Sequence, residues 1–292
     1  MRVDIGGGVR LFIDVVGPAL AADADRMRER PVLLALHGGP GFDHSVLRPW
    51  FDRFADTHQV IYLDHRGNGR SDGHNDPSGW HLDQWADDIA GLCTALDLTH
   101  IALLGVSFGG AVAVHAAARH PDLVERLVLI SSNVTKDLPA MLAVFERRGG
   151  PEARAAAERH WTDPDDDTLA AYIERCLPLY TVRGSGPAAV PDRARMNRRL
   201  MQRYIAESAS LDLRDSVAAL RCPTLVLVGE DDPVTPAASS QLIASLVPTG
   251  LGRLEQFADC GHGTQRDQPE RTDAAIRAFL AERLPPVTAT VP

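Results

Sequence analysis

The stretch Ile101-Ala102-Leu103-Leu104-Gly105-Val106-Ser107-Phe108-Gly109-Gly110 changes character at a single residue. Ahead of Gly105, four apolar residues run without polar alternation, the pattern of a strand buried on both faces. Beyond Ser107, the chain from Gly109 to Arg119 is rich in Gly and Ala, which suits a helix pressed closely against a sheet. Ser107 therefore marks a sharp strand-to-helix turn, and the glycines on either side leave room for a strained serine backbone. The letters G-x-S-x-G alone are a weak signal, since a Gly-rich turn with a capping serine reads the same way. Their position between a strand and a helix is what gives them meaning.

Working outward, further continuous apolar runs occur at Val32–Leu36, Val60–Leu63, Leu127–Ile130 and Leu225–Val228, with a weaker one at Leu254–Phe257. Each reads as a doubly buried strand, the signature of a parallel sheet covered by helices. Val9, Leu11, Ile13 and Val15 alternate with Arg10, Phe12 and Asp14 and predict an antiparallel edge strand. Leu82, Trp85, Ile89, Leu92 and Leu96 recur at helical spacing, and Ala274–Leu284 predicts a terminal helix with Pro269 near its start. Strands alternating with helices give a doubly wound α/β sheet. From Asn133 to Asp215 the alternation stops. That segment is helix-compatible, punctuated by Gly149-Gly150, Pro164 and Gly184-Ser185-Gly186-Pro187. It falls between two strands, so residues 133–215 are expected to form an inserted helical cap on a core of residues 1–132 and 216–292. The Pro-rich tail after Leu284 is expected to be disordered.

Three more loops follow strand-like runs and carry polar chemistry. His37-Gly38-Gly39-Pro40-Gly41 could supply an N–H to a developing oxyanion, with Gly39 N–H and Phe108 N–H as the pair of donors. Gly229-Glu230-Asp231-Asp232-Pro233 offers two aspartates, Asp231 and Asp232, either of which could reach a histidine. Cys260-Gly261-His262-Gly263 offers an imidazole in a glycine-flanked loop. Nucleophilic acyl chemistry needs this set: a serine, a base that takes its proton, and a carboxylate that holds the base in one tautomer. The order Ser, acid, His distinguishes the arrangement from the other two well-known triad orders.

HGGPG, the run from Asp64 through His65, Arg66, Gly67, Asn68, Gly69 and Arg70 to Ser71, GVSFGG, GEDDPVTP and CGHGT together resemble the α/β-hydrolase superfamily, and within it the proline iminopeptidase group. The resemblance spans nearly all of the chain outside residues 133–215. It implies an eight-stranded, mostly parallel sheet with a helical lid and an acyl-serine mechanism. It also implies Ser107 as nucleophile, His262 as base and, as the third residue after the loop glycine, Asp232 as the acid. The chain departs from the iminopeptidase pattern at His65, where that group usually carries Gln, and at Phe108, where it usually carries Trp. It departs again at Ser131-Ser132-Asn133. Cleavage of a small amide or short peptide and cleavage of an ester or lactone both stay open. Glu146, Glu174 and Glu207 are candidates for holding a substrate amine, against the plainer role of solvated helix faces.

Composition narrows the alternatives. The chain has 292 residues, 45% hydrophobic and 24% charged, with a formal net charge of −9 and no basic stripe. Nucleic-acid and polybasic membrane binding are therefore not expected, and the partner is a small-molecule or short-peptide substrate. Four scattered cysteines without metal-ligand spacing fit a reduced, cytoplasmic setting in which the thiols fill the core. No metal or cofactor fingerprint occurs. Trp161, Tyr172, Tyr180 and Tyr204 are expected to pack the cap and in part to line a pocket. Arg66 and Asp64 are expected to fix the loop behind the oxyanion donors. Acyl transfer or cofactor-free peroxidation on the same triad is a second enzymatic reading, and a non-catalytic binding module a third.

Overall fold

The computed structural model describes residues 1–183 and 193–282. Two antiparallel strands, β1 (Arg2–Asp4) and β2 (Arg10–Val16), lead into an exposed hairpin of β3 (Leu20–Asp23) and β4 (Arg26–Glu29). Strands and helices then alternate through β5 (Val32–Leu36), β6 (Gln59–Leu63), α1 (Leu82–Ala95), β7 (Ile101–Val106), α2 (Phe108–Arg119) and β8 (Val124–Ile130). Next come α3 (Leu138–Thr162), α4 (Asp166–Arg175), α5 (Arg198–Glu207) and α6 (Arg214–Ala218), with no named strand among the described residues between them. The chain closes with β9 (Thr224–Gly229), α7 (Ala237–Leu246), β10 (Gly252–Phe257), α8 (Thr264–Asp267) and α9 (Pro269–Ala281).

Eight strands form one sheet in the order β1-β2-β6-β5-β7-β8-β9-β10, parallel from β6 to β10 and antiparallel around β2. β5 shows why continuous apolar runs were required. Leu34 and Leu36 pack into the cluster beneath α1 and α2, and Leu33 and Ala35 into the cluster with Phe51, Ile276 and Phe279 on the opposite face. Each fully buried leucine contributes about 1.5–3 kcal/mol. Two expectations shift. Arg10–Val16 is not an edge strand, because β1 pairs along its outer side, and Val15 is exposed although Leu11 and Ile13 are buried. The terminal helix starts at Pro269 and ends at Ala281. Leu284, the Pro-rich tail after it and Gly184-Ser185-Gly186-Pro187 lie outside the described residues.

The helices between β8 and β9 leave the sheet and return at one place. Thr135 bridges Asp212, and Leu213 N–H donates to Val134 O at 2.8 Å. α3 bends where Gly150 adopts φ 75° ahead of Pro151, whose ring brings no N–H. Asp165 caps α4 through a reciprocal pair of bonds with Thr168, so the run Asp165-Asp166-Asp167 is a helix start. In α5, Leu200, Met201 and Ile205 turn inward while Arg198, Arg199 and Arg203 face solvent. No described helix is long and apolar enough to cross a membrane. Cys93, Cys176, Cys222 and Cys260 are buried and free.

Candidate active site

Ser107 stands between β7 and α2 with φ 56° and ψ −120°, a left-handed conformation that a non-glycine residue adopts only when its surroundings enforce it. The enforcement is visible. Ser107 N–H donates to Ile130 O at 2.9 Å, and Ser107 O accepts from Gly110 N–H at 2.9 Å. A methyl group on Gly105 would meet Gly109 O at 2.4 Å, and one on Gly109 would meet Leu36 O at 2.4 Å. Both flanking glycines are thus required by close backbone approach, and the turn holds the serine at the carboxyl end of the sheet.

The loop after β5 lies directly alongside, since a methyl group on Gly38 would come within 3.8 Å of Ser107 Oγ. The buried His37 sets its orientation. His65 N–H donates to His37 Nε2 at 3.3 Å, so the proton of the ring is on Nδ1, which donates to Gly38 O at 2.8 Å. Burial pushes the His37 pKa down and keeps the ring neutral. With Gly38 O turned toward His37, the N–H of Gly39 in the same trans peptide plane points the opposite way. Among the described residues, neither Gly39 N–H nor Phe108 N–H, at the start of α2, has a protein acceptor. The run from Asp64 to Ser71 braces this loop. Asn68 Oδ1 accepts from Gly41 N–H at 2.7 Å, and Asp64 accepts from His44 Nδ1 at 2.7 Å and from Arg70 N–H at 2.8 Å. Burial alone would raise the Asp64 carboxyl, but the His44 bonds outweigh it and hold it below the usual range. Arg66 instead turns to Asp88 on α1, with Nε at 2.8 Å from Oδ2.

Of the two aspartates in the loop after β9, the structure pairs one with the imidazole. His262 Nδ1 donates to Asp232 at 2.9 and 3.0 Å to its two oxygens, which leaves Nε2 of a neutral ring as the acceptor. Asp232 is fully buried and also accepts from Val234 N–H, Thr235 N–H and Thr235 Oγ1 at 2.8–2.9 Å. Burial would raise its pKa, yet His262 and the Thr235 donors more than offset that and hold it below the ordinary carboxylate value. Asp231 faces away, to Arg147 at 2.9 Å. The loop carrying His262 is strapped to the segment after α4. His262 N–H donates to Tyr180 O at 2.6 Å, Val182 N–H to Asp267 Oδ2 at 3.0 Å, and Arg148 Nη2 to Thr181 O at 2.9 Å.

These loops form one wall of a cavity of about 340 Å³ that reaches Gly39, Ser107, Phe108 and His262. Ser107 and His262 share this wall, and no hydrogen bond joins their side chains in this arrangement. The opposite wall comes from the helices between β8 and β9 and includes Trp161, Tyr172, Tyr180, Met201 and Tyr204. The four aromatic residues singled out in the sequence therefore all reach the cavity. Glu146, Glu174 and Glu207 do not; each is at least half exposed beside an arginine.

The model of the family described as alpha/beta hydrolase fold matches residues 31–269. This chain belongs to the alpha/beta hydrolase fold family. The proline iminopeptidase of Lactiplantibacillus plantarum is 29% identical over 259 residues, covering 82% of this chain and 86% of that protein. A 2-hydroxymuconate semialdehyde hydrolase of Pseudomonas putida is 30% identical over 252 residues, covering 86% and 87%. A thermophilic esterase from Thermogutta terrifontis superposes with a TM-score of 0.70 at 27% identity, covering 96% of this chain and 97% of that one. The relatives thus share the hydrolase fold and differ in the activity that their names give.

Three residues of this alpha/beta hydrolase carry weight that the sequence reading did not give them. His37 stands in the sequence only as the first letter of a glycine loop, and its burial and its bond to Gly38 O emerge from the fold. Lys136 and Arg266 reach the cavity from an inter-element loop and from α8, and neither sits in any sequence pattern. Among the described residues no carboxylate lines the cavity, and no group of three or more His, Cys, Asp or Glu residues is placed to hold a metal ion.

Proposed function

We propose that this protein is a serine hydrolase that cleaves a small carboxylic ester or lactone through an acyl-Ser107 intermediate. The observation that carries this reading is the strained Ser107 on one cavity wall with a His262 whose Nδ1 is committed to Asp232. His262 Nε2 takes the Ser107 proton as Oγ attacks the substrate carbonyl, then returns it to the leaving group. The oxyanion is received by Gly39 N–H and Phe108 N–H, two donors left without protein acceptors on that wall. Water, activated by the same imidazole, then releases the acid. In this reading residues 133–215 act as a cap over a core of residues 1–132 and 216–292. The cap keeps the acyl chain out of water and sets its length.

The choice of ester or lactone over an amino-terminal peptide rests on charge. A free substrate amine needs a carboxylate, and among the described residues the cavity presents Lys136 and Arg266 instead. Esterases among the solved structures of the same fold support the same direction. The test compares p-nitrophenyl esters of increasing chain length with prolyl and alanyl arylamides, using Ser107→Ala as control. Ester turnover that vanishes in the variant, with little arylamide cleavage, is the expected result. Fast prolyl arylamide cleavage would return the reading to an iminopeptidase. Diversion of the acyl group to added alcohol or amine would make it a transferase.

A further inference from the structure

Resting on the hydrolase reading above, we infer that Lys136, with His160 and Ser208, forms a subsite for a carboxylate carried on the substrate, so that the natural substrate is an anionic oxo-ester or half-ester rather than a plain alkyl ester. Most of the cavity wall supplied by the helices after β8 is apolar or aromatic, and the polar groups cluster at one place. Lys136 lies in the short link between β8 and α3, half-buried, where the helices leave the sheet. Its ammonium donates to Trp161 O at 3.0 Å and to Ser208 Oγ at 2.9 Å, and it sits 4.9 Å from the centre of the Trp161 ring. An ammonium has three N–H donors, so one remains beyond these two bonds. Among the described residues no carboxylate lies within salt-bridge distance of it.

A lysine whose task was only to close the base of the insertion would be matched by an acid or left in solvent, because a half-buried, unpaired ammonium is costly. Here it is held beside His160, which is 3% exposed and lines the same cavity, and whose buried Nδ1 has no hydrogen-bond partner among the described residues. Burial lowers Lys136 to about 8, and burial, aided by the Lys136 charge, lowers His160 to about 4, so at neutral pH the pair is one cation beside one neutral ring. Arg266 adds a second cation to the cavity, and among the described residues its buried Nη1 has no hydrogen-bond partner. A ligand carboxylate would supply the missing charge and accept the remaining Lys136 N–H in a charge-assisted bond. A neutral hydroxyl or an alkyl chain would leave that ammonium unpaired.

The experiment uses matched mono-p-nitrophenyl esters: the half-esters of succinic, glutaric and adipic acids against p-nitrophenyl butyrate, valerate and hexanoate, with buffer hydrolysis subtracted. At one chain length kcat/KM should favour the carboxylate-ended ester by at least about tenfold, mostly through KM. Lys136→Met keeps the aliphatic stem and should abolish that preference while changing the neutral ester by less than about threefold. Equal losses on both series, or no preference in the unaltered protein, would overturn the subsite. Calorimetric binding of adipate against hexanoate to the Ser107→Ala protein needs neither turnover nor a change at Lys136. Tighter adipate binding supports the subsite even if Ser107 were not the nucleophile. Equal binding rejects it even if Ser107 is.

Discussion

The two walls of the cavity are held in different ways. On the sheet side, tight backbone loops carry every candidate group: Ser107 on its turn, Gly39 beside the peptide that the His37 ring grips, and Asp232 and His262, paired with each other, on the loops that follow β9 and β10. On the helix side, side chains do the work, through ring-on-ring packing such as Phe108 against Tyr204 at 5.0 Å and His160 against Tyr172 at 4.4 Å. A wall built from backbone admits almost no substitution without loss of geometry. A wall built from side chains can be re-cut by exchanging them, which is how one fold serves many acyl groups.

Substitution can break this contrast, and the largest effects belong on the sheet side. Ser107→Ala should reduce ester turnover by at least about 10,000-fold and abolish labelling by a fluorophosphonate, as read by intact mass. Asp232→Asn should cost on the order of 10,000-fold in kcat by stranding His262 in the wrong tautomer, while Asp231→Asn should stay within about twofold. Equal effects at the two aspartates would show that the pairing seen here is not the working one. His37→Ala frees Gly38 O and should lower kcat roughly 10- to 100-fold with KM little changed, in steady-state kinetics on a short ester.

On the helix side the effects should be smaller and should concern selection. Lys136 carries its proton below about 8, so adipate affinity should be full at pH 7 and fall as pH rises through 8, to about tenfold weaker at pH 9. The groups that face it do not titrate in that window. His160 on α3 is already neutral, burial holds the Tyr172 hydroxyl well above its ordinary value, and Trp161 and Ser208 do not ionise. Calorimetry at the two pH values reads this directly. Met201→Ala should move the preferred acyl chain upward by about two carbons and leave the acetate ester within about threefold, read from a chain-length profile.

The same contrast explains what could be read from the letters. Doubly buried strands such as Val32–Leu36 announce themselves, because every residue must be apolar. Loops that approach backbone closely announce themselves through glycine. β8 began three residues earlier than its apolar run, at Val124, because Arg126 turns its guanidinium to Phe279 O at 3.0 Å and is buried all the same. The β3–β4 hairpin was invisible: its Arg26-Met27-Arg28-Glu29 strand is wholly exposed and carries no burial pattern. The choice between Asp231 and Asp232 needed the family resemblance, since spacing allows both and only the fold turns one outward. Lys136 could not have been found, because what places it in the cavity is the crossing of Val134–Thr135 with Asp212–Leu213, contacts more than seventy residues apart.

The strap from Leu179 to Val182 ties the two walls together. The backbone acceptor of His262 N–H belongs to Tyr180, and Arg148 grips Leu179 O and Thr181 O from the helix just above. Lifting that edge to admit a substrate would withdraw the imidazole's support in the same movement. In the proposed mechanism, an edge opened on this side would leave the cavity idle.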